Sequence, residues 1–303
     1  MSEQFDVVVI GSLNHDISVL APRLPRPGET VIATSHFSGS GGKGANQAVA
    51  AARLGASVAM VGRVGDDEYG PSLVAGLVAE GVDVEAVGVD EELGTGLALI
   101  TVDPTGENTI VGSSGANMAL TPVLVRDSAA RIATASVVVA QLEVSVDCVV
   151  EAAVLAEGLF LLNPAPAHPL SPDLLANVDV LIPNRSELGV LAGCDEPRTE
   201  DEVADALDRL EFDGGVVVTL GAGGAMISDK GTKSLCPAVP VDAVDATGAG
   251  DAFCGALAFA LSHGWDLSDG VPFAIAAASV AVTRLGAQSS MPDRNEVEAV
   301  LER

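Results

Sequence analysis

Phe5-Asp-Val-Val-Val-Ile-Gly11 is the stretch that decides the fold of this 303-residue chain. It is a compact apolar run that ends in glycine, which is typical of a parallel strand buried on both faces. Similar runs recur at Ser57–Gly62, Ser136–Leu142, Leu159–Leu162, Val178–Ile182 and Gly215–Leu220. Helical stretches lie between them, at Ala45–Leu54, Tyr69–Glu80, Val144–Ala156, Arg185–Leu191 and Glu200–Leu210. This alternation predicts an α/β fold with a doubly wound, mostly parallel sheet flanked by helices.

Two regions, at about residues 14–38 and 95–112, depart from this alternation. They contain short alternating stretches broken by Pro and Gly, with no helix between them (Thr30–Phe37, Gly96–Val102, Asn108–Val111). We predict that the two insertions form a small antiparallel β lid over the C-terminal edge of the main sheet. No second-domain boundary is visible, so we expect one domain over residues 1–303.

Composition narrows the range of functions. The net charge is −27, which argues against nonspecific nucleic-acid or anionic-membrane partners because the phosphate groups would be repelled. No apolar run approaches the ~18 residues of a membrane span, and the first residues carry no basic signal region, so we expect a cytoplasmic protein. The four cysteines and four histidines have no metal-ligand spacing.

A second informative stretch is Asp245-Ala-Thr-Gly-Ala-Gly-Asp251. Phe253, Leu257 and Leu261 recur every fourth residue after it, so a helix is predicted to begin at or just before Asp251. The small residues at its start leave N–H groups open to an anion, which the helix dipole favours. Asp251 is then either an N-cap or a base that takes a proton from a hydroxyl as that hydroxyl attacks a bound phosphoryl group.

Gly39-Ser-Gly-Gly-Lys-Gly44 matches the G-x-G-x-x-G pattern of dinucleotide sites. That fingerprint must follow its strand directly, but the first predicted strand ends far upstream, at Gly11. A Walker A loop is excluded as well, because Lys43 is followed by Gly rather than by Ser or Thr. The run is therefore interpreted as a flexible loop that opens a helix.

Polar residues near this loop suit a ligand rich in hydroxyl groups. Lys43 and Asn46 lie on the first turn of the predicted helix. Asn14 and Asp16 leave the first strand on alternate residues and so point the same way. The four side chains could converge on a sugar, since they both donate and accept hydrogen bonds. Taken separately, each is more often a turn or cap residue.

Further polar groups follow later strands. Asn184 and Glu187 have the spacing of a capping box, and the alternative is that both reach toward Mg²⁺ on a nucleotide, directly or through water. Thr219-Leu-Gly-Ala-Gly-Gly224 is a glycine turn whose backbone could carry a nucleotide's phosphates or ribose. Glu143 ends another strand at the same edge of the sheet.

The glycine–lysine loop, N-x-x-E and D-x-T-G-A-G-D, in this order, closely resemble the ribokinase family of carbohydrate kinases (the PfkB type). The resemblance covers essentially the whole chain. It extends to Asn14-His-Asp16, Pro27-Gly-Glu-Thr30, Gln141-Leu-Glu143, Asn163-Pro-Ala-Pro166 and Thr283-Arg-Leu-Gly-Ala-Gln288. The fold it implies is the ribokinase-like one, with its lid.

The resemblance also implies residue roles. Asp251 would be the base, and Gly248, Ala249 and Gly250 would form the anion hole with it. The sugar would be bound by Asn14, Asp16, Gly42, Lys43, Asn46, Glu143 and Asp251. ATP would be bound by Asn184, Thr219, Gly221, Gly224 and Gly250, with Glu187 facing Mg²⁺ through water. A K⁺ ion would be held by Asp245, Thr247, Ala281, Arg284, Gly286 and Ser290.

The implied function is ATP-dependent phosphorylation of D-ribose at the 5-hydroxyl by a homodimer that pairs through the lid. The chain departs from relatives at Ile275, where a polar Asn or His often lies near adenine. Other sugars or nucleosides (2-deoxyribose, fructose, adenosine) are alternative substrates. A remote alternative is an inactive sugar-binding regulator.

Overall fold

The computed structural model describes residues 4–104 and 108–302. Residues 105–107, which belong to the second predicted lid insertion, lie outside the described residues. The strands are β1 (Val7–Ile10), β2 (Asn14–Leu20), β3 (Ser35–Gly41), β4 (Val58–Gly65), β5 (Asp83–Asp90), β6 (Gly96–Val102), β7 (Asn108–Ser113), β8 (Val137–Ala140), β9 (Leu159–Leu162), β10 (Val180–Leu181), β11 (Gly215–Thr219), β12 (Ala225–Asp229) and β13 (Thr232–Cys236).

The helices are α1 (Lys43–Arg53), α2 (Gly70–Ala79), α3 (Pro122–Asp127), α4 (Ala129–Thr134), α5 (Val146–Leu155), α6 (Pro172–Leu175), α7 (Arg185–Ala192), α8 (Glu200–Arg209), α9 (Ala249–Ser262), α10 (Leu267–Ala281) and α11 (Arg294–Leu301). Short 3₁₀ turns lie at Gly115–Ala119, Gly221–Gly223 and Gln288–Ser290.

The main sheet has the strand order β13-β12-β11-β10-β9-β8-β1-β4-β5. Strands β5 to β11 in this order are parallel, and β12 and β13 add an antiparallel edge. The predicted doubly wound sheet is confirmed. Strand β5 was not predicted, because its sequence, Asp-Val-Glu-Ala-Val-Gly-Val-Asp, mixes acidic and apolar residues along an edge of the sheet that is only half-buried.

The helices cover both faces of this sheet. Val7 and Val9 of β1 pack into one core with residues of α1, α9 and α10, whereas Val8 and Ile10 pack into a second core with α5 and α8. All four side chains are fully buried, which stabilises the fold by roughly 1.5–3 kcal/mol for each large apolar side chain. Strand β1 is therefore a continuous apolar run because both of its faces lie in a core.

The lid is a separate sheet with the strand order β3-β2-β6-β7. The outer pairs, β2–β3 and β6–β7, are antiparallel as predicted, but the central pair β2–β6 is parallel. The reason is that β2 follows β1 and β6 follows β5, and these two parallel strands leave the main sheet in the same direction. The boundaries of one lid strand also differ from the prediction, since β3 covers Ser35–Gly41 rather than Thr30–Phe37.

Among the described residues, no helix is both long enough and apolar enough to cross a membrane.

A close helix contact joins the two halves of the candidate site. At Gly255 in α9, an added Cβ would lie 2.5 Å from the Cβ of Ala50 and 2.6 Å from the carbonyl oxygen of Gln47, both in α1. Only glycine permits the two helices to approach this closely, so their spacing depends on this residue.

We expect Gly255→Ala to lower the free energy of unfolding by about 1–3 kcal/mol, because the methyl group must push α1 and α9 apart. Gly76→Ala is the matched control: Gly76 is also in a helix, but its Cβ would meet only the Ser40 hydroxyl at 3.7 Å. Urea unfolding of both variants measures the difference. Equal stabilities would show that the helices have room to spare.

Candidate active site

The N-terminus of α9 faces open space. Gly248 is the N-cap residue and has the left-handed φ of 77°, which favours glycine. A Cβ on Gly250 would meet no atom within 4 Å, so a ligand can approach the backbone there. Ala249 donates its N–H to the carbonyl of Ala246. The first turn therefore presents small residues and the positive end of the helix dipole to a ligand.

Asp251 is the residue around which the site is arranged. It is buried, and its Oδ2 accepts from Asn46 Nδ2 at 2.8 Å while its Oδ1 accepts from Gln47 Nε2 at 3.0 Å. The helix is capped by Gly248 without a side-chain hydrogen bond, so Asp251 is not the N-cap. Its carboxylate points away from its own helix toward α1, where a reacting group could meet it.

The start of α1 lies against the end of β8. Gly42 is its N-cap with a φ of 91°, and a Cβ there would lie 2.7 Å from the backbone nitrogen of Asn14. The Lys43 N–H donates to Glu143 Oε2 at 3.2 Å, and Ser12 Oγ donates to the same oxygen at 2.5 Å. Glu143 therefore holds the loop as well as contributing charge.

Lys43 is a half-buried cation among carboxylates. Burial lowers the pKa of its ammonium group, but the negative charges of Asp251, Glu143 and Glu187 outweigh this and raise the pKa overall. Lys43 is therefore charged at neutral pH, and it offsets part of the acidic charge in the site.

Asn14 and Asp16 lie on β2, so they belong to the lid rather than to the first strand of the main sheet. Two residues apart on a strand, they share one face, as predicted. Asn14 Oδ1 accepts from Asn117 Nδ2 at 2.7 Å, and Asn117 Oδ1 in turn accepts from the Leu13 N–H at 2.9 Å. Gly41 leaves room for Asp16, because its Cβ would lie 2.1 Å from Asp16 Oδ2.

The Asp16 carboxyl titrates close to neutral pH. Burial, together with the charges of Glu143 and Asp251, raises its pKa to about 7, and the charge of Lys43 opposes this shift. Four carboxylates, those of Asp16, Glu143, Glu187 and Asp251, thus lie near one lysine. This arrangement suits a neutral ligand that brings hydroxyl donors to the excess acceptors.

A cleft of about 530 Å³ opens next to the N-terminus of α9. Four of the five predicted ATP-binding residues line it: Thr219, Gly221, Gly224 and Gly250. Asn184 is not among the lining residues. The inner wall is apolar and includes Phe253, Ala278 and Ile275. Because the cleft reaches Ala249 and Gly250, a bound molecule could extend from this wall to the start of α9.

Asn184 and Glu187 form a complete capping box at the start of α7. Asn184 Oδ1 accepts from the Glu187 N–H at 2.8 Å, and Glu187 Oε2 accepts from the Asn184 N–H at 2.8 Å. The backbone of Asn184 also forms an isolated parallel β-bridge with that of Thr219, which lines the cleft. Burial raises the pKa of Glu187, which the Asn184 N–H and Lys43 oppose. The pair is thus a cap that lies beside the site.

Two loops meet beside the start of α9, and they contain the residues predicted to hold K⁺. Asp245 Oδ1 accepts from the Thr247 N–H at 2.9 Å and from Thr247 Oγ1 at 2.7 Å, and its Oδ2 accepts from the Gly286 N–H at 2.9 Å. Burial alone would raise the pKa of Asp245, but these donors lower it overall. Asp245 is therefore an ionised carboxylate that joins the two loops.

The other predicted potassium residues are engaged as follows. The Ala281 carbonyl accepts from the Arg284 N–H, Ser290 Oγ donates to the Ala287 carbonyl, and the Arg284 side chain pairs with Glu296. In the described part of the chain, no cluster of three His, Cys, Asp or Glu side chains could hold a metal ion. A cation here would depend on backbone carbonyls and one carboxylate. Such an oxygen-rich donor set fits a hard ion of low charge.

Sequence reasoning missed the amides that support the site. Gln47, Asn117 and Gln141 are all at most 1% exposed, although they are polar. Gln47 contacts Asp251, Asn117 contacts Asn14, and Gln141 donates to Gln47. The available signal was a glutamine inside the apolar helix Lys43–Arg53, since a buried polar side chain needs partners.

The chain as a whole matches one protein family. The family described as pfkB family carbohydrate kinase matches residues 4–294, and the chain is a member of that family. This confirms the resemblance inferred from the motifs, and with it the ribokinase-like fold.

Individual relatives cover almost the whole chain. A ribokinase from Haemophilus influenzae is 39% identical over 302 residues, which is 98% of either chain. A deoxyribokinase from Salmonella typhi is 35% identical over 95% of either chain. The solved structure of Arabidopsis thaliana ribokinase complexed with ribose and ATP has a TM-score of 0.90 and 32% identity, and covers 99% of this chain and 100% of its own.

The unusual titration of Asp16 leads to a prediction about stability. The carboxyl has its ordinary pKa of 3.8 in the unfolded chain, whereas its pKa is about 7 in the folded protein. Between these values the unfolded chain has released a proton that the folded chain still holds, so this group costs increasing stability as pH rises from about 4 to about 7. Urea unfolding measures the free energy of unfolding of Asp16→Asn minus that of the unmodified protein. This difference should be more favourable to the variant at about pH 8 than at about pH 4.5.

Asp67→Asn is the control. Burial opposes the shift, but donors from Thr95, Gly70 and Tyr69 lower the pKa of the Asp67 carboxyl. Ionisation of Asp67 changes the stability only below about pH 4, so the effect of Asp67→Asn should be the same at both pH values. An Asp16→Asn variant that behaved in this way would contradict the titration assigned to Asp16.

Proposed function

We propose that the chain transfers the terminal phosphoryl group of ATP to the 5-hydroxyl of D-ribose, giving D-ribose 5-phosphate. One observation carries the proposal: the Asp251 carboxylate lies at the start of α9, between hydroxyl-binding groups on α1 and β2 and a cleft that opens to the helix N-terminus. Membership of the carbohydrate kinase family and the relatives named as ribokinases support it.

In this proposal Asp251 is the base that accepts the proton of the attacking hydroxyl. A carboxylate is a weak base for an alcohol, but it suffices when the proton leaves late, as phosphorus is attacked. The backbone N–H groups of Gly248, Ala249, Gly250 and Asp251 would act as the anion hole for the charge on the transferred group. The dipole of α9 adds to this field.

The sugar would lie between the lid and α1. Asn14, Asp16 and Glu143 would accept hydrogen bonds from its hydroxyl groups, and Lys43 and Asn46 would donate to them. Gly42 would contact the sugar through its backbone at the start of α1. Asn46 Oδ1 is buried and has no hydrogen-bond partner among the described residues, so it is free to accept from a hydroxyl.

ATP would lie in the apolar cleft, with its base against Ile275 and its phosphates toward Gly250. Gly221 and Gly224 would contact it through the backbone and Thr219 through its side chain, while Asn184 would act by fixing the neighbouring loop. Ile275 cannot form a hydrogen bond, so we propose that the base is held mainly by apolar contact.

Two cations would complete the site. Glu187 would hold Mg²⁺ through water, since its carboxylate lies close enough to affect the titration of Lys43. Asp245, Thr247, Ala281, Arg284, Gly286 and Ser290 would hold K⁺, several through backbone carbonyls. When bound, both ions supply positive charge, which this chain of net charge −27 offers through few side chains.

We further propose that residues 1–303 form one kinase domain that acts in the cytoplasm, where ATP is available, and that two copies pair through the lid. Ile17, Leu99 and Val111 form a cross-strand row on the lid face opposite Asn14 and Asp16. Leu99 is 47% exposed and Val111 is 69% exposed, so an apolar surface is available for a second copy.

The test is a substrate panel of ribose, 2-deoxyribose, fructose and adenosine, with ATP and coupled detection of ADP. Ribose should give the highest kcat/KM, because Asn14, Asp16 and Glu143 need hydroxyl donors. A higher kcat/KM with 2-deoxyribose would instead assign the chain the activity named for its Salmonella typhi relative. ADP production with none of the four would contradict the proposal and favour a sugar-binding regulator.

The same panel, run in potassium and then in sodium at equal ionic strength, tests the cation assignment. Turnover should be lower in sodium, because the smaller ion fits a site of backbone carbonyls less well. Equal rates in the two salts would contradict the assignment of Asp245 and its neighbouring loop.

A further inference from the structure

A network of three amides contacts the Asp251 carboxylate from α1 and the neighbouring strand ends. Gln47 Nε2 donates to Asp251 Oδ1 at 3.0 Å and to Asn163 Oδ1 at 3.3 Å, and Gln47 Oε1 accepts from Gln141 Nε2 at 2.6 Å. Both hydrogens and the oxygen of the Gln47 amide are therefore used. Gln47 is 1% exposed and Gln141 is fully buried, so water does not compete for these bonds.

The direction of donation in this network is set by the backbone. Asn163 Nδ2 donates to the carbonyl of Ile182 at 2.9 Å, and a carbonyl can only accept. The oxygen of the Asn163 amide must therefore face Gln47, which in turn must present its NH₂ group. Rotating the Gln47 amide by half a turn would set its oxygen against both Asn163 Oδ1 and the Asp251 carboxylate.

Strand ends of the main sheet anchor the network. Gln141 follows β8 and Asn163 follows β9, and both β8 and β9 are parallel central strands. Gly11, after β1, leaves space for Gln141, since a Cβ there would lie 2.0 Å from Gln141 Oε1. The central strands of the main sheet thus determine how the Gln47 amide is oriented. Gln47 in turn orients the Asp251 carboxylate at the start of α9.

We propose that Gln47 is a positioning residue for the phosphoryl transfer, and that Gln141 and Asn163 act through it. The inference rests on the proposed function, because it assigns to Gln47 the orientation of Asp251 as base. Gln47 fixes the rotation of the carboxylate, and its charge-assisted hydrogen bond stabilises the negative charge on Oδ1. Asn46 contacts the other oxygen, so the plane of the carboxylate is defined from both ends.

The test is Gln47→Met, which keeps the length of the side chain and removes the amide. We expect kcat with ribose to fall about 10- to 100-fold, because a hydrogen bond to a charged group is lost. KM for ribose should change less than about threefold, and the acidic limb of the kcat–pH profile should move to higher pH. An unchanged acidic limb would overturn the proposal.

Gln141→Met tests the relay without touching Asp251, and it carries the test if Gln47→Met fails to fold. It should change kcat and the acidic limb in the same direction but less. Because Gln141 acts through Gln47, the double variant should be no slower than Gln47→Met alone within about twofold. Additive losses would show that Gln141 does not act through Gln47.

Val49→Ala is the control for general loosening of α1. Val49 is fully buried in the same helix but lies in the apolar core, so this variant should lower the melting temperature and leave the acidic limb unmoved. A shift equal to that of Gln47→Met would mean that any disturbance of α1 suffices. Failure of the unmodified protein to phosphorylate any sugar would instead refute the proposed function.

Discussion

The contact between α1 and α9 is the constraint on which the site depends. The two helices touch at Gly255 without an intervening side chain, and this close approach brings Asn46 and Gln47 of one helix within hydrogen-bond distance of Asp251 of the other. The same helices begin at glycine N-caps with positive φ, Gly42 and Gly248. The Asp251 carboxylate and the starts of both helices are thereby placed at one edge of the main sheet.

The charge of the chain explains why the site is built in this way. With 42 acidic and 15 basic residues, the protein has few cationic side chains with which to hold a phosphate. Lys43 lies half-buried among carboxylates that raise its pKa, so much of its charge is already compensated. Oriented N–H groups at the start of α9 provide a positive field without a side chain, and in a partly closed site such a field is stronger than in water.

The sequence predicted the features that depend on local pattern. Apolar runs such as Phe5–Gly11 predicted the central strands, because a strand buried on both faces has no polar positions. The edge strand β5 was missed because it mixes acidic and apolar residues and none of its residues is fully buried. The parallel pairing of β2 with β6 was also missed, since it follows from where two insertions leave the main sheet rather than from their own residues. The motifs predicted most of the cleft, but Asn184 lies outside its lining.

The supporting contacts of the site could not be read from the sequence for a different reason. Asn46 and Gln47 meet Asp251 across 205 and 204 positions of the chain, and Gln141 meets Gln47 across 94. Spacing within a motif carries no information about such pairs. Motif spacing also left Asp251 open between a cap and a base. The structure excludes the cap, because Gly248 is the N-cap residue of α9.

The central claim is that Asp251 takes the proton of the attacking hydroxyl, and the most direct measurement is Asp251→Asn. Turnover with ribose and ribose affinity should be measured on the same preparation, by coupled ADP release and by titration calorimetry. The account predicts that turnover falls by about 10²- to 10⁴-fold while ribose still binds, because an amide can accept a hydrogen bond but cannot serve as the base. Near-normal turnover in this variant would contradict it.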